Sequence, residues 1–268
     1  MIVFSHANSF PASTYRVLFR SLRGRGFAVK AVDKFGHDPA YPVTNNWPKL
    51  VQQLCDFIAH EAPDNAETVW LVGHSLGGYL SLMAAMRLPG KVKGVVMIDS
   101  PVLGGWKSSA VGLAKQTGLV GSFSPGAVSK RRRNSWPSVD EAFAHFRHKK
   151  AFARWDEQVL HDYVNYGTEL RDGKRVLAFD RDVETAIYNN LPHNLERLLK
   201  RHPLQCPVHF IGGTDSAEMR QVGMALTNKL VKGRITMMDG SHLFPMERPI
   251  ETAAAIEEAL RAMSPVRA

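Results

Sequence analysis

Residues 69–78 constrain the fold of this chain more than any other stretch, and they read Val-Trp-Leu-Val-Gly-His-Ser-Leu-Gly-Gly. The first four are apolar, as a buried strand requires, and a run suited to a helix begins at Leu76. Ser75 then occupies the turn between strand and helix. Such a turn strains the backbone of its central residue, and Gly73 and Gly77 let the strand and the helix approach without a Cβ clash. The sequence therefore predicts a serine hydroxyl that is pushed out of a tight strand–turn–helix unit.

Short apolar segments recur along the chain and alternate with helix-like periodicity. Segments rich in Val, Ile and Phe, as buried parallel strands are, lie at residues 2–5, 27–33, 68–72, 92–99, 207–212 and 234–239. Apolar residues between them recur at the spacing of a helix face, as in Tyr15, Leu18, Phe19 and Leu22. This alternation predicts an α/β fold with a doubly wound, mostly parallel sheet of about six strands. Ligands of such sheets bind outside the carboxyl ends of the strands.

The stretch from residue 101 to residue 202 interrupts this alternation. It shows no clear strand, and it has helix-length segments at 139–147, 157–167 and 183–201. We interpret it as a helical lid, which divides the chain into a core of residues 1–100 and 203–268 and a lid of residues 101–202. Aromatic side chains concentrated over a sheet edge can pack the lid on the core or line an acyl pocket. The candidates for substrate contact are Trp106, Trp136, Trp155, Tyr163 and Tyr166.

Polar motifs follow four of the predicted strands. They read Ser-His-Ala-Asn at 5–8, Gly-His-Ser-Leu-Gly at 73–77, Gly-Thr-Asp at 213–215 and Gly-Ser-His at 240–242. Because the carboxyl ends of parallel strands meet at one edge of the sheet, these motifs should converge there. A single Gly-x-Ser-x-Gly motif arises by chance fairly often. Four polar motifs at one edge, in the chain order Ser, Asp, His, point to a nucleophile with its base and acid.

These motifs resemble those of the α/β-hydrolase superfamily over nearly the whole chain. The resemblance covers the nucleophile turn, the loop His6-Ala7-Asn8 that matches the oxyanion loop, and the segments Phe-Ile-Gly-Gly-Thr-Asp and Asp-Gly-Ser-His-Leu-Phe-Pro. It implies a lid between the fourth and fifth core strands, where the aromatic insertion lies. Ala7 replaces the glycine that is usual in the oxyanion loop, which could alter the shape of that loop. The first predicted strand corresponds to the oxyanion strand, whereas many relatives have two strands before it.

The resemblance assigns roles that acyl transfer requires. Ser75 is the expected nucleophile, and His242 is the expected base because an imidazole with a pKa near ~6.5 is mostly neutral at pH 7. Asp215 is the expected acid that would hold His242 in its useful tautomer. The backbone N–H groups of Asn8 and Leu76 are the expected oxyanion donors.

The choice of acid stays open between two aspartates. Asp215 fits the recognised pattern, because the 27 residues from it to His242 leave room for one helix at 218–230 and one strand, which makes the two loops neighbours. Asp99 in Val-Val-Met-Ile-Asp-Ser-Pro also ends a predicted strand and could supply the carboxylate from the neighbouring loop. No metal is expected, since the histidines show no His-Glu-x-x-His spacing, and no phosphate-binding loop or other cofactor motif is present.

Composition limits the remaining classes. The formal net charge is +9, with dense basic segments at 130–133 and 147–150, and these are typical of a solvated face or, less often, of attraction to an anionic substrate. No recognised nucleic-acid-binding module accompanies the charge, so no nucleic-acid partner is expected. The two cysteines indicate neither a disulfide framework nor a zinc site. Without an apolar run of ~18 residues or a signal peptide, membrane insertion is not expected and a cytoplasmic location is.

The leading hypothesis is a serine hydrolase that cleaves a carboxylic ester of a small or medium apolar acyl group through an acyl-enzyme on Ser75. One alternative is a thioesterase whose basic lid receives an anionic carrier. Another is a ligand-sensing signalling protein on the same fold. A serine at the nucleophile turn argues against epoxide and haloalkane chemistry, which uses a carboxylate there. The oligomeric state stays open.

Overall fold

The structure, a computed structural model, describes residues 1–64, 67–104 and 129–264. The strands in this part of the chain are β1 (Ile2–Ser5), β2 (Val29–Ala31), β3 (Val69–His74), β4 (Val92–Ile98), β5 (Ser135–Trp136), β6 (Thr168–Arg171), β7 (Lys174–Leu177), β8 (Val208–Gly213) and β9 (Ile235–Met238).

The α-helices of the described residues surround these strands, and one long helix closes the chain. They are α1 (Arg16–Gly24), α2 (Pro48–Glu61), α3 (Leu76–Arg87), α4 (Val139–Arg147), α5 (Glu157–Tyr166), α6 (Arg181–Asn189), α7 (Leu195–Arg201), α8 (Ala217–Val222), α9 (Ala225–Val231), α10 (Phe244–Glu247) and α11 (Pro249–Met263). No described helix is both long enough and apolar enough to cross a bilayer.

Six strands form one parallel sheet in the order β2-β1-β3-β4-β8-β9. All residues of β1, β3 and β8 are buried, as a sheet covered on both faces requires. Helices α1 and α11 pack together on one face, and α2 and α3 pack together on the other. The predicted α/β fold with a doubly wound sheet of six strands is confirmed.

The segment between β4 and β8 is not purely helical, so the expectation of an insertion without strands is wrong. β5, β7 and β6 form a small antiparallel sheet. Asp172 and Gly173 turn the chain between β6 and β7 with φ values of 49° and 73°. Asp-Gly is the dipeptide that two-residue hairpins favour, because both positions need a positive φ.

Two predicted helices are each split in two. The helix expected at 183–201 is interrupted between Asn189 and Leu195, where Pro192 disfavours helical backbone in the residue before it. The helix expected at 218–230 is interrupted at Gly223, whose φ of 82° lies outside the helical region. Both breaks matter for function, since residues beside them line the cavity described below.

Candidate active site

Ser75 lies in a strained turn between β3 and α3. Its φ and ψ are 54° and −115°, which is unusual for a residue with a side chain. A Cβ on Gly73 would lie 2.1 Å from the carbonyl oxygen of Gly77, and a Cβ on Gly77 would lie 1.9 Å from that of Ser5. Glycine is therefore required at both positions, as the sequence predicts, and the turn presents Ser75 to a cavity above the sheet.

His242 follows β9 and contacts a buried carboxylate. Its Nδ1 lies 2.6 Å from Oδ2 of Asp99, the residue that directly follows β4. The same carboxylate accepts hydrogen bonds from the Gly213 N–H at 2.9 Å and from the Ser216 hydroxyl at 2.6 Å. Asp99 is 1% exposed, so these donors replace water around its charge.

Electrostatics of this pair favour an imidazole that is easily protonated. Burial lowers the pKa of His242, but the hydrogen bond to Asp99 and the nearby charge of Glu218 outweigh burial, and the pKa lies above its usual value. Burial alone would raise the pKa of Asp99, yet the hydrogen bond and charge of His242, with the donors from Ser216 and Gly213, hold it below its usual value. Asp99 therefore stays ionised beside His242.

Asp215 does not reach His242 in the structure. Its side chain is 57% exposed and accepts a hydrogen bond from Arg154 Nη1 at 2.8 Å. The Asp215 N–H donates to the carbonyl oxygen of Gly240 at 2.9 Å, so the two loops are neighbours as expected. Their side chains nevertheless point to different partners, and of the two candidate acids it is Asp99 that contacts the imidazole.

A second buried histidine supports the backbone of this loop. The carbonyl oxygen of His242 accepts a hydrogen bond from His74 Nε2 at 2.9 Å, and His74 Nδ1 lies 2.8 Å from the Tyr15 hydroxyl. Burial lowers the pKa of His74 to about 3. His74 is thus neutral, its Nε2 carries the proton, and the Tyr15 hydroxyl donates to Nδ1. Tyr15 in turn accepts from the Ala7 N–H at 3.1 Å. This series of hydrogen bonds links the loop after β9 to the loop after β1.

The predicted oxyanion residues lie beside Ser75. Asn8 and Leu76 line the same cavity as Ser75. Leu76 is the first residue of α3, where backbone N–H groups lack acceptors within the helix. The Asn8 side chain donates to the carbonyl oxygen of Glu184 at 3.1 Å, which ties the loop after β1 to α6.

The buried carboxylate of Glu184 is the ion-pair partner of Arg132, which belongs to the basic segment 130–133. It is 4% exposed, accepts a hydrogen bond from the Ser9 hydroxyl and pairs with Arg132 at 3.1 Å. Burial raises the pKa of Glu184, against the opposing charge of Arg132. Arg132 therefore offsets a buried charge next to the loop that carries Asn8.

The cavity over Ser75 has a volume of about 190 Å³ and a mostly apolar lining. His242 and Asp99 lie on its wall together with Glu218 of α8. Its apolar and aromatic surface comes from the region before α2, from α3, from the end of α6 and from the residues after it, and it includes Trp47, Leu76, Tyr79, Ile187, Tyr188 and Leu191. Apart from Leu76 in the nucleophile turn, no sequence motif marks these residues, because their position at the cavity depends on the tertiary packing of separate helices and loops.

The structure does not bring the described lid candidates to this cavity. Trp136, Trp155 and Tyr163 are at most 8% exposed and belong to an aromatic cluster that packs on the core. Tyr166 is 43% exposed and lies under the guanidinium of Arg16. None of these four candidates lines the cavity over Ser75, since three are buried in the packing cluster and Tyr166 lies on the surface. Trp106 lies outside the described residues.

One group of side chains offers metal-ligating atoms. Asp99, Glu218 and His242 place one ligand atom each within 4.8 Å of one another. A metal there would compete with the proton that His242 Nδ1 donates to Asp99. The present hydrogen bonds already satisfy that nitrogen and that carboxylate, so the donor set fits a proton-bearing pair better than a resident metal.

Comparison with known proteins agrees with the geometry. Residues 2–255 match the model of the alpha/beta hydrolase family. The thioesterase domain from the curacin biosynthetic pathway superposes with a TM-score of 0.73 at 19% identity, covering 96% of this chain and 90% of that one. An esterase of M. tuberculosis, whose structure was described together with transition metal inhibition, superposes with a TM-score of 0.69 at 18% identity, covering 97% and 84%.

One curated relative matches over a shorter region. Ethanol acetyltransferase 1 of Cyberlindnera fabianii is 42% identical over 55 residues, which are 20% of this chain and 16% of that protein. The chain thus spans only a small part of this relative's length. The fold and the strand-end site define an α/β hydrolase. The family match over nearly the whole chain shows that it belongs to the alpha/beta hydrolase family.

Proposed function

We propose that this chain is a serine hydrolase that cleaves carboxylic esters of small or medium apolar acyl groups through an acyl-enzyme on Ser75. The observation that carries the proposal is the hydrogen bond from His242 Nδ1 to the buried Asp99, at the wall of the cavity that Ser75 faces. Because Asp99 occupies Nδ1, Nε2 is the nitrogen that can serve Ser75. The acid of the proposed triad is therefore Asp99, in place of the recognised candidate Asp215.

The proposed reaction has two steps, acylation of Ser75 and hydrolysis of the acyl-enzyme. Ser75 Oγ attacks the ester carbonyl while His242 Nε2 takes the hydroxyl proton, and the N–H groups of Asn8 and Leu76 stabilise the oxyanion. The imidazolium then gives its proton to the leaving alkoxide, and the acyl group stays on Ser75 as an ester. Water attacks this ester with His242 again as base, which releases the carboxylic acid and restores Ser75.

The size and lining of the cavity support the substrate class. A cavity of about 150 Å³ in another protein holds benzene, so about 190 Å³ suits an acyl or alkoxy group slightly larger than benzene. The lining is largely apolar, and the described residues that line it include no lysine or arginine. Long acyl chains would therefore need space outside the described cavity.

Fluorophosphonate labelling tests this proposal, followed by turnover of p-nitrophenyl esters of increasing chain length. We expect labelling at Ser75 and steady turnover that is best for short to medium chains. Ser75→Ala should abolish labelling and lower kcat by on the order of 10⁶, as in another dissected triad, with an unchanged circular dichroism spectrum. Steady turnover by folded Ser75→Ala would contradict the proposal.

The same panel separates the alternatives. A thioesterase would turn over acyl thioesters much faster than the matched oxygen esters. The basic segments offered in support of an anionic carrier do not line the described cavity: Arg132 pairs with Glu184, and Arg147 lies near Glu157 and Phe143. A signalling protein on this fold would show a single slow turnover in place of a steady rate.

A further inference from the structure

Among the described Asp, Glu, His, Lys and Arg residues, those that line the cavity are two carboxylates and one imidazole. They are Asp99, Glu218 and His242. Asp99 is fully buried and holds three donors, from His242, Gly213 and Ser216. The charge of Asp99 is therefore already compensated inside the protein, and Glu218 is the remaining anionic group that a substrate can meet.

Glu218 lies in the first turn of α8, close to the imidazole. Its Oε2 is 3.7 Å from His242 Nδ1, and its side chain is 44% exposed. Within the described residues, no lysine or arginine nitrogen lies within 4.0 Å of this carboxylate. Among the residues that the structure describes, its charge therefore has no paired lysine or arginine, and it acts on the cavity and on His242.

Aromatic side chains line the cavity to which this carboxylate is exposed. Trp47, Tyr79 and Tyr188 line the same cavity. Aromatic faces attract alkylammonium groups through their quadrupole, and a nearby carboxylate adds charge attraction. An anionic group would meet Glu218 with no described basic side chain to balance it.

The position of Glu218 also indicates which part of an ester it would meet. In the proposed reaction, His242 protonates the leaving oxygen, so the alcohol part departs beside the imidazole. Glu218 lies 3.7 Å from this imidazole on its Nδ1 side and lines the same cavity, so an alcohol part that extends past the ring would meet the carboxylate. The acyl part stays on Ser75 and does not have to pass the carboxylate.

We propose that Glu218 sets a charge preference for the alcohol part of the substrate, favouring esters of alkylammonium alcohols over neutral esters and disfavouring esters of anionic alcohols. This inference rests on the proposed ester hydrolysis at Ser75. The net charge of +9 acts in the opposite direction at long range, but solvent and salt screen distant charges more strongly than a charge on the cavity wall.

Three butyrate esters test the preference at pH 8 and low ionic strength. The first is butyrylcholine, the second its neutral carbon isostere 3,3-dimethylbutyl butyrate, and the third the butyrate of 3-hydroxypropanesulfonate. We expect wild-type kcat/KM to be about two- to fivefold higher for the choline ester than for the neutral isostere, the size of a partly exposed ion pair. The sulfonate ester should be slower than the neutral one.

Glu218→Gln should bring the choline-to-neutral ratio close to one. Glu258→Gln is the matched control, because Glu258 is exposed on α11, does not line the cavity, and its change alters net charge equally. This control should keep the wild-type ratio. A wild-type ratio of one or less, or a ratio that Glu218→Gln leaves unchanged, would overturn the proposal.

The pH profile on the neutral ester gives a second readout. The groups that face His242 are Asp99 and Glu218, which favour its protonated form, and the neutral His74, while burial opposes that form. Removing the Glu218 charge should move the acid limb of kcat/KM to lower pH, and Glu258→Gln should not. If all three esters are turned over with similar kcat/KM, this inference is wrong but the proposed function stands. If neither turnover nor labelling of Ser75 is observed, the proposed function is wrong as well.

Discussion

The loops after β4 and β8 each carry an aspartate at the same edge of the sheet, but the two carboxylates differ in burial and in hydrogen-bond partners. Asp99 is 1% exposed and receives three hydrogen bonds, whereas the Asp215 side chain is 57% exposed and pairs with Arg154. The last residue of β8 and the loop after it contribute donors to Asp99, namely the Gly213 N–H and the Ser216 hydroxyl. Position at a strand end therefore does not make a carboxylate the partner of a histidine; burial and orientation decide.

The largest effect expected from this comparison follows the loss of the Asp99 charge. Asp99→Asn should lower kcat by roughly 10⁴, because an amide can hold His242 in the wrong tautomer, as in a comparable triad. Steady-state kinetics with a p-nitrophenyl ester measures this. A variant that keeps its thermal melting temperature and near-normal kcat would remove Asp99 from the proposed triad.

A smaller effect is expected from the hydroxyl that the second loop donates to Asp99. Ser216→Ala should lower kcat by about tenfold, since a hydrogen bond to a charged group contributes roughly 1.5–3 kcal/mol. Ser216 also caps α8 by accepting from the Met219 N–H at 3.1 Å, so we expect a stability loss of about 1 kcal/mol. Ser216→Thr retains the hydroxyl and is the control. Equal kcat losses in both variants would argue against a role for the donated hydrogen bond.

The pH dependence of kcat/KM sharpens the comparison further. The pKa of His242 is raised by Asp99 and Glu218 against burial, and only the neutral imidazole can act as base. Activity should therefore fall as pH drops through a value above ~6.5, about tenfold per unit below it. Rates on a neutral ester between pH 5 and 9 measure this limb. A flat profile would contradict His242 as the base.

The smallest effect is expected at the other aspartate. Asp215→Asn removes an exposed ion pair with Arg154, and such pairs contribute about 0–1 kcal/mol. We expect kcat within about threefold of wild type, an unchanged acid limb and a small drop in melting temperature. A loss of several thousandfold would restore Asp215 as the acid.

Local sequence patterns predicted the parallel sheet and the strained turn at Ser75. They did not identify the carboxylate that contacts His242 or the residues that line the cavity. The strained turn at Ser75 follows from adjacent residues, because glycine spacing and the change from strand to helix are visible in ten letters. The contact between Asp99 and His242 joins residues 143 positions apart, and two aspartates at neighbouring strand ends could not be separated without side-chain directions.

The residues that line the cavity were not predicted, for a related reason. Ile187, Tyr188 and Leu191 line it because α6 ends at Asn189, and one continuous helix was expected there. The aromatic residues that did attract attention, such as Trp155 and Tyr163, form a buried packing cluster. Aromatic content indicates burial but does not say whether the buried surface faces protein or ligand.

The most direct test of the account is the ¹⁵N NMR spectrum of the His242 ring in the wild-type protein, Asp99→Asn and Asp215→Asn at a pH above the His242 pKa. The account predicts that wild type and Asp215→Asn share the tautomer protonated at Nδ1, with a strongly hydrogen-bonded Nδ1–H, and that Asp99→Asn loses both features. Loss of the tautomer in Asp215→Asn with retention in Asp99→Asn would contradict it.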